Sequence, residues 1–204
     1  MKHSTWMLLL WALPTATIFA ANVPTAKKTA ELAGIEAKTD GQFRIIRLEG
    51  EEADSDLRPR QWDVTVYDTQ RGNHATTFRF KDGVAVSVAG AVRVFDDARW
   101  TQFGRNFTGY EPSEIIQLVR WKLDSTDALN RIAVLPGMDN VQITDVKMVL
   151  RKWSDGDVAP VWRVKVKARS KRQPGREGWI GVVDLSAETS EVIQSTLRPE
   201  RIAN

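Results

Sequence analysis

The pentapeptide Trp62-Asp63-Val64-Thr65-Val66 is answered by Trp162-Arg163-Val164-Lys165-Val166, and the two copies of this Trp-x-Val-x-Val alternation stand 100 positions apart. A shared offset marks an internal repeat, which constrains architecture before any single element is assigned. The neighbours keep step. Upstream of each Trp lies a polar turn, LEGEEADSDLRPR in one copy and RKWSDGDVAP in the other, and before it an extended run, FRIIRL from Phe43 and VKMVLRKW from Val146. Downstream, ATTFRF from Ala75 leads into Lys81-Asp82-Gly83 and VAVSV, while GWIGVVDL from Gly178 leads into AETSEVI. Each copy reads strand, hairpin, strand, hairpin, strand.

Each copy also follows a short helical pattern. Ala26, Ala30, Ala33 and Ala37 recur at helical spacing behind Pro24 and Thr25, the residues expected at a helix N-terminus. Asp124, Ser125 and Thr126 offer cap oxygens to a second helix. Ala128, Leu129, Ile132 and Ala133 form its stripe and Pro136-Gly137 its stop. The expected fold is α+β, two repeats of one helix plus a three-stranded antiparallel meander, each helix covering the apolar face of its own sheet. The expected boundaries are 22–90 and 123–204 for the repeats. The connector, 91–122, is rich in aromatics and expected to be ordered. Within it, Pro112-Ser113-Glu114 before Ile115, Leu118 and Val119 suits a helix, and IIQLVRW equally suits a strand.

The N-terminus has the layout of a secretory leader over residues 1–20: Lys2, an apolar run from Trp6 to Leu13, Pro14, then small residues to Ala20 and Ala21. The run is too short to span a bilayer, so the expectation is an exported protein, periplasmic or extracellular, without a transmembrane segment. There is no cysteine, which excludes disulfides, thiol nucleophiles and a lipidation cysteine. The formal charge is +3, and loss of Lys2 would leave +2. So small an excess does not mark a nucleic-acid binder.

The second copy, DSTDALNRIAV, VKMVLRKW, PVWRVKVKA and GWIGVVDLSAETSEVI, resembles the PepSY domain. The shared features are a helix with an Asp-Ser lead-in and an Ala-Leu pair, an aromatic-x-Val-x-Val strand and a closing Thr-Gly-Glu-Val hairpin. Thr189-Ser190-Glu191-Val192 stands in that last position, with Ser190 in place of the usual Gly. The first copy matches more loosely, through Gln61-Trp62-Asp63-Val64 and Lys81-Asp82-Gly83. The resemblance implies non-catalytic modules of exported proteins that hold or inhibit peptidases or act at the cell envelope. Cystatin-like folds and the β-lactamase-inhibitory proteins share the layout as shape analogies, which do not establish function.

The sequence carries little catalytic chemistry. His74 is the one histidine beyond the leader, in a QRGNHA turn, and no G-x-S-x-G, HExxH or phosphate-cradling glycine motif occurs. Neither a metal nor a cofactor is therefore expected. Glu49–Asp56, EGEEADSD, concentrates carboxylates but lacks the spacing of a calcium loop. Ser154–Asp157 reads as a turn, Ser170-Lys171 are adjacent residues in a loop, and Asn106-Phe107-Thr108 fits a glycan acceptor pattern.

What stands out is the strand PVWRVKVKAR. Trp162, Val164, Val166 and Ala168 alternate with Arg163, Lys165, Lys167 and Arg169, and Lys171 and Arg172 extend the cations into the next loop. Like faces repeat every about 6.8 Å along a strand. Where the second copy has Arg163, Lys165 and Lys167 the first has Asp63, Thr65 and Tyr67, so the fold does not demand the charges. Three functions follow as expectations. One is an exported non-catalytic protein-binding module that restrains a hydrolase or peptidase, its partner an unknown protein. The second is a polyanion or anionic-lipid binder acting through residues 163–169, and the third a carboxylate-only hydrolase.

Overall fold

The computed structural model describes residues 23–37, 44–68, 74–93, 114–153 and 159–203. The leader, most of the connector, Asn106 and Ser154–Asp157 lie outside them. Helix α1, Ala26–Glu36, is followed by strands β1 (Arg44–Ala53), β2 (Pro59–Asp68), β3 (His74–Lys81) and β4 (Val84–Arg93). Helix α2, Ser125–Ala133, is followed by β5 (Val141–Lys152), β6 (Pro160–Ser170), β7 (Glu177–Ser186), β8 (Val192–Ser195) and a short helix α3, Glu200–Ala203. The segment whose sequence suits helix or strand holds one three-residue 3-10 turn, Leu118–Arg120, and Ile116 N–H donates to Ile45 C=O at 2.7 Å.

Two helix-plus-three-strand repeats are not what forms. Among the described residues the strands make a single eight-stranded antiparallel sheet in the order β4-β3-β2-β1-β5-β6-β7-β8, a β-dominated fold. VAVSV and the end of AETSEVI are strands in their own right, so each half contributes four. The halves fuse where β1 pairs with β5, Leu48 opposite Leu150 and Gly50 opposite Met148. The physical reason lies in the helices. The stripe of α1 is Ala26, Ala30 and Ala33, too little apolar area to close a core over its own sheet. Joining β1 to β5 removes two open edges and merges the thin cores into one.

The hundred-residue offset persists in the register. Gly50 faces Trp62 in the β1–β2 ladder and Leu150 faces Trp162 in β5–β6. Because β1–β5 pairs residue 48 with 150 and 50 with 148, a shift of 100 maps that ladder onto itself, as a local twofold axis between Glu49 and Val149 requires. The symmetry lapses one strand further out, where Trp62 faces Phe80 but Trp162 faces Leu185.

One face of the sheet holds the core. Ile45, Leu48, Trp62, Val64, Phe80, Met148, Leu150, Trp162, Val164, Ile180 and Leu185 are buried there with Ala30 and Ala33 of α1 and Leu129 and Ile132 of α2. The repeat tryptophans meet across the seam, with ring centroids 6.4 Å apart and edge-on, and Trp121 meets Trp162 at 6.1 Å. Trp162 Nε1 and Trp121 Nε1 both donate to Leu123 C=O, at 2.8 and 2.9 Å. A side chain at position 50 would strike the indole of Trp62, a Cβ lying 2.7 Å from Cζ3, which accounts for glycine opposite that ring.

The two helices meet head to head at their N-termini. Asp124 Oδ1 accepts from Ser125 N–H of its own helix at 2.7 Å and from Lys27 N–H of α1 at 3.2 Å. Ser125 Oγ accepts from Ala26 N–H at 3.1 Å. Two positive helix ends thus converge on one carboxylate, which offsets their mutual repulsion.

Candidate functional site

The face opposite the core carries the charges. Alternation along β6 is as the sequence implies, with Trp162, Val164, Val166 and Ala168 buried and the intervening cations half-buried or exposed. These cations are partnered, and the partners come from neighbouring strands. Arg163 clasps Asp184 of β7 through two hydrogen bonds of 2.8 Å, and Asp184 is 2% exposed. Lys167 pairs with Glu177 at 2.7 Å. Lys165 lies over the Trp179 ring, 4.7 Å from its centroid, and Arg169 donates to Gln142 Oε1 at 3.0 Å. Beyond the strand, Lys171 Nζ donates to Asp139 C=O at 2.8 Å, and Arg172 N–H donates to Ser170 Oγ at 3.2 Å.

The electrostatics follow from that pairing. The hydrogen bond to Asp184 raises the pKa of Arg163 against the opposing effect of burial. The hydrogen bond to Glu177 raises that of Lys167, and Lys167, then Thr144, lowers that of Glu177. The same logic holds across the rest of the face. Arg79 forks onto Asp63 at 2.7 and 2.6 Å, Lys147 pairs with Glu51 at 2.9 Å, and Arg47 pairs with Glu49. Across the sheet the row of cations is matched by carboxylates at Arg163 and Lys167, while Lys165 rests on an indole and Arg169 on a neutral amide.

The acidic run Glu49–Asp56 is divided between two tasks. Glu49, Glu51 and Glu52 pair with Arg47, Lys147 and Lys81. Asp54 Oδ1 accepts from Asp56 N–H and Arg58 N–H, both at 2.9 Å, and shapes the turn. Among the described residues no group of three or more His, Cys, Asp or Glu is placed to hold a metal ion. His74 opens β3, opposite Asp68. Asp184 is the one buried carboxylate of the described residues, and Arg163 occupies it.

The sheet edge is different. β4 forms one end of the strand order, and Val84, Val86 and Val88 are 64, 55 and 61% exposed. From Gly83 to Val92 the chain has no charged residue. Natural sheets blunt their edges with charge, proline, short strands or a covering element, and β4 is ten residues long and free of charge until Arg93. Among the described residues its edge protection is a pair of register shifts against β3, between Ala75 and Thr77 and between Arg79 and Phe80. At the other end β8 is four residues long and wholly exposed, with Val192 and Ile193 on it.

Up to Val92 nothing in β4 can titrate, ligate or attack, so residue types alone do not single it out. The signal that could have found it was an uncharged, β-branched run beside a Lys-Asp-Gly turn, the composition of an unprotected strand. Residue types do not single out Arg151 of β5 either, whose Nε is shielded from solvent and has no hydrogen-bond partner among the described residues. No family model matches the chain, and a search of curated proteins likewise finds no match.

Proposed function

We propose that this chain is an exported, non-catalytic protein-binding module whose β4 edge takes up an extended, uncharged segment of a partner protein by strand addition. The observation that carries the reading is the exposed, charge-free run of residues 84–88 on β4. An added strand would satisfy its outward N–H and C=O groups while alternate side chains meet Val84, Val86 and Val88. The lack of charge on β4 selects an apolar partner segment, because a buried unpaired charge there would cost affinity. A second copy of this chain fits less well, since it would bring the same two bulges against the first pair, whereas a free segment can adjust its register. The leader-like N-terminus supports export. Polyanion binding through residues 163–169 draws less support, because Arg163 and Lys167 are committed to Asp184 and Glu177.

The test is selection of decapeptides from a random display library, followed by amide hydrogen exchange with and without the selected peptide. The expected peptides are uncharged and alternately apolar, they slow exchange along residues 84–93, and Val86→Lys weakens them at least tenfold. Peptides that bind Val86→Lys equally well, or that leave β4 exchange unchanged, overturn the reading. So does a chain that is dimeric through β4 before any peptide is added.

A further inference from the structure

The turn after α2, the β6–β7 hairpin and α3 border a cavity of about 480 Å³. Its walls are held in place by the backbone. Lys171 N–H donates to Asn140 C=O at 3.2 Å, Arg198 N–H to Ile180 C=O at 2.7 Å and Ala203 N–H to Pro199 C=O at 2.9 Å, while Ile202 anchors α3 in the core. A Cβ at Gly137 would lie 2.8 Å from Pro199 Cγ, so the two segments approach closely. Leu197, Pro199 and Ala203 form an apolar wall. Two opposite charges line the same cavity without meeting. Arg172 and Glu200 both border it, yet no ion pair joins them, and the Arg172 guanidinium pairs with no carboxylate of the described residues. Glu200 reaches Arg198 at 4.0 Å, between side chains that are 59 and 60% exposed, a contact that contributes little. Arg172 and Glu200 are both open to solvent and so within reach of a dissolved ligand.

We propose that this cavity binds a free α-amino acid with an apolar side chain. The Arg172 guanidinium offers planar, paired donors to its carboxylate, Glu200 accepts from its ammonium, and its side chain rests on Leu197, Pro199 and Ala203. Apolar walls with a few convergent polar groups are the character of a small-molecule site. A simple anion or cation entering here would meet a like charge on the opposite wall. A zwitterion brings the complementary charge to each. The β4 edge lies at the opposite end of the molecule's strand order from β7 and β8, so the two proposals stand or fall separately.

Thermal unfolding of the full chain with leucine, N-acetyl-leucine or leucine amide, at matched ionic strength and against equimolar glycine, tests it. Leucine is expected to raise the midpoint saturably, by about 2–4 °C over glycine, and each blocked form by less than half as much. Arg172→Gln and Glu200→Gln are each expected to abolish the rise, whereas Arg131→Gln, on the exposed side of α2, keeps it. No rise over glycine, half the rise or more with either blocked form, or an undiminished rise in either cavity variant overturns the proposal. Should a variant fail to fold, amide resonances of the unaltered chain decide. Those of Gly137, Arg172 and Leu197 must shift along one saturation curve with leucine, and their indifference overturns the site.

Discussion

Glu177 and Lys167 illustrate how a single pair sets the character of the open face. Their 2.7 Å contact lowers the carboxyl pKa, chiefly through Lys167 and secondly through the Thr144 hydroxyl, and raises that of the ammonium. The signs dictate the pH window. A carboxyl with a lowered folded-state pKa loses its contribution as pH falls through that lowered value. An ammonium with a raised one loses its contribution as pH rises through the raised value. The pair is therefore intact from below the usual glutamate range to above the usual lysine range. Carboxyl-carbon NMR should place the Glu177 midpoint below that of a free glutamate, and Lys167→Gln should move it back up. An unmoved midpoint would mean that the contact is not formed in solution. Ser190 adds a second residue-scale lesson. Its φ of 64° holds a non-glycine residue in the left-handed turn, at a cost glycine would avoid.

Among elements, the two helices were the most legible in the sequence. Ala26, Ala30, Ala33 and Ala37 are buried as their spacing implies, Thr25 caps α1, and Asp124 caps α2 before Gly137 turns the chain at φ 81°. Ala133 departs from its stripe and is exposed, being the last residue of a short helix. What spacing could not reveal is that Asp124 serves both helices, since that depends on where α1 lands. Asp124→Ala should therefore cost more than one ordinary cap, about 2 kcal/mol or above, read as a lower urea midpoint at unchanged slope. A loss under half that size would mean that Lys27 N–H does not depend on Asp124. The strands were legible in their faces but not in their neighbours. Arg163 announced an outward cation, whereas Asp184, 21 positions further on, became its partner only through the β6–β7 register. That register includes a bulge where Gly181 adopts φ 140° and a Cβ would strike Thr196 C=O.

For the molecule as a whole, the fused sheet makes a prediction that separate repeats would not. One core runs from Ala26 and Trp62 to Trp162 and Ile202, and the seam is lined by Trp62, Trp162 and Trp121. Tryptophan emission, to which the three seam indoles contribute, and far-UV circular dichroism, which reports the sheet, should follow one coincident urea transition. Two resolved transitions would show that the halves fold independently. The repeat, the two hairpins flanking the tryptophans and the apolar face of β6 could all be read in the chain, because side-chain alternation decides which way a strand faces. Which strand edge meets which was decided only in three dimensions. Strands pair through backbone N–H and C=O groups common to nearly every residue, so no side chain marked β1 and β5 as partners. The union of the halves, the pairing of Arg163 and Lys167 with carboxylates and the exposure of residues 84–88 all follow from that choice.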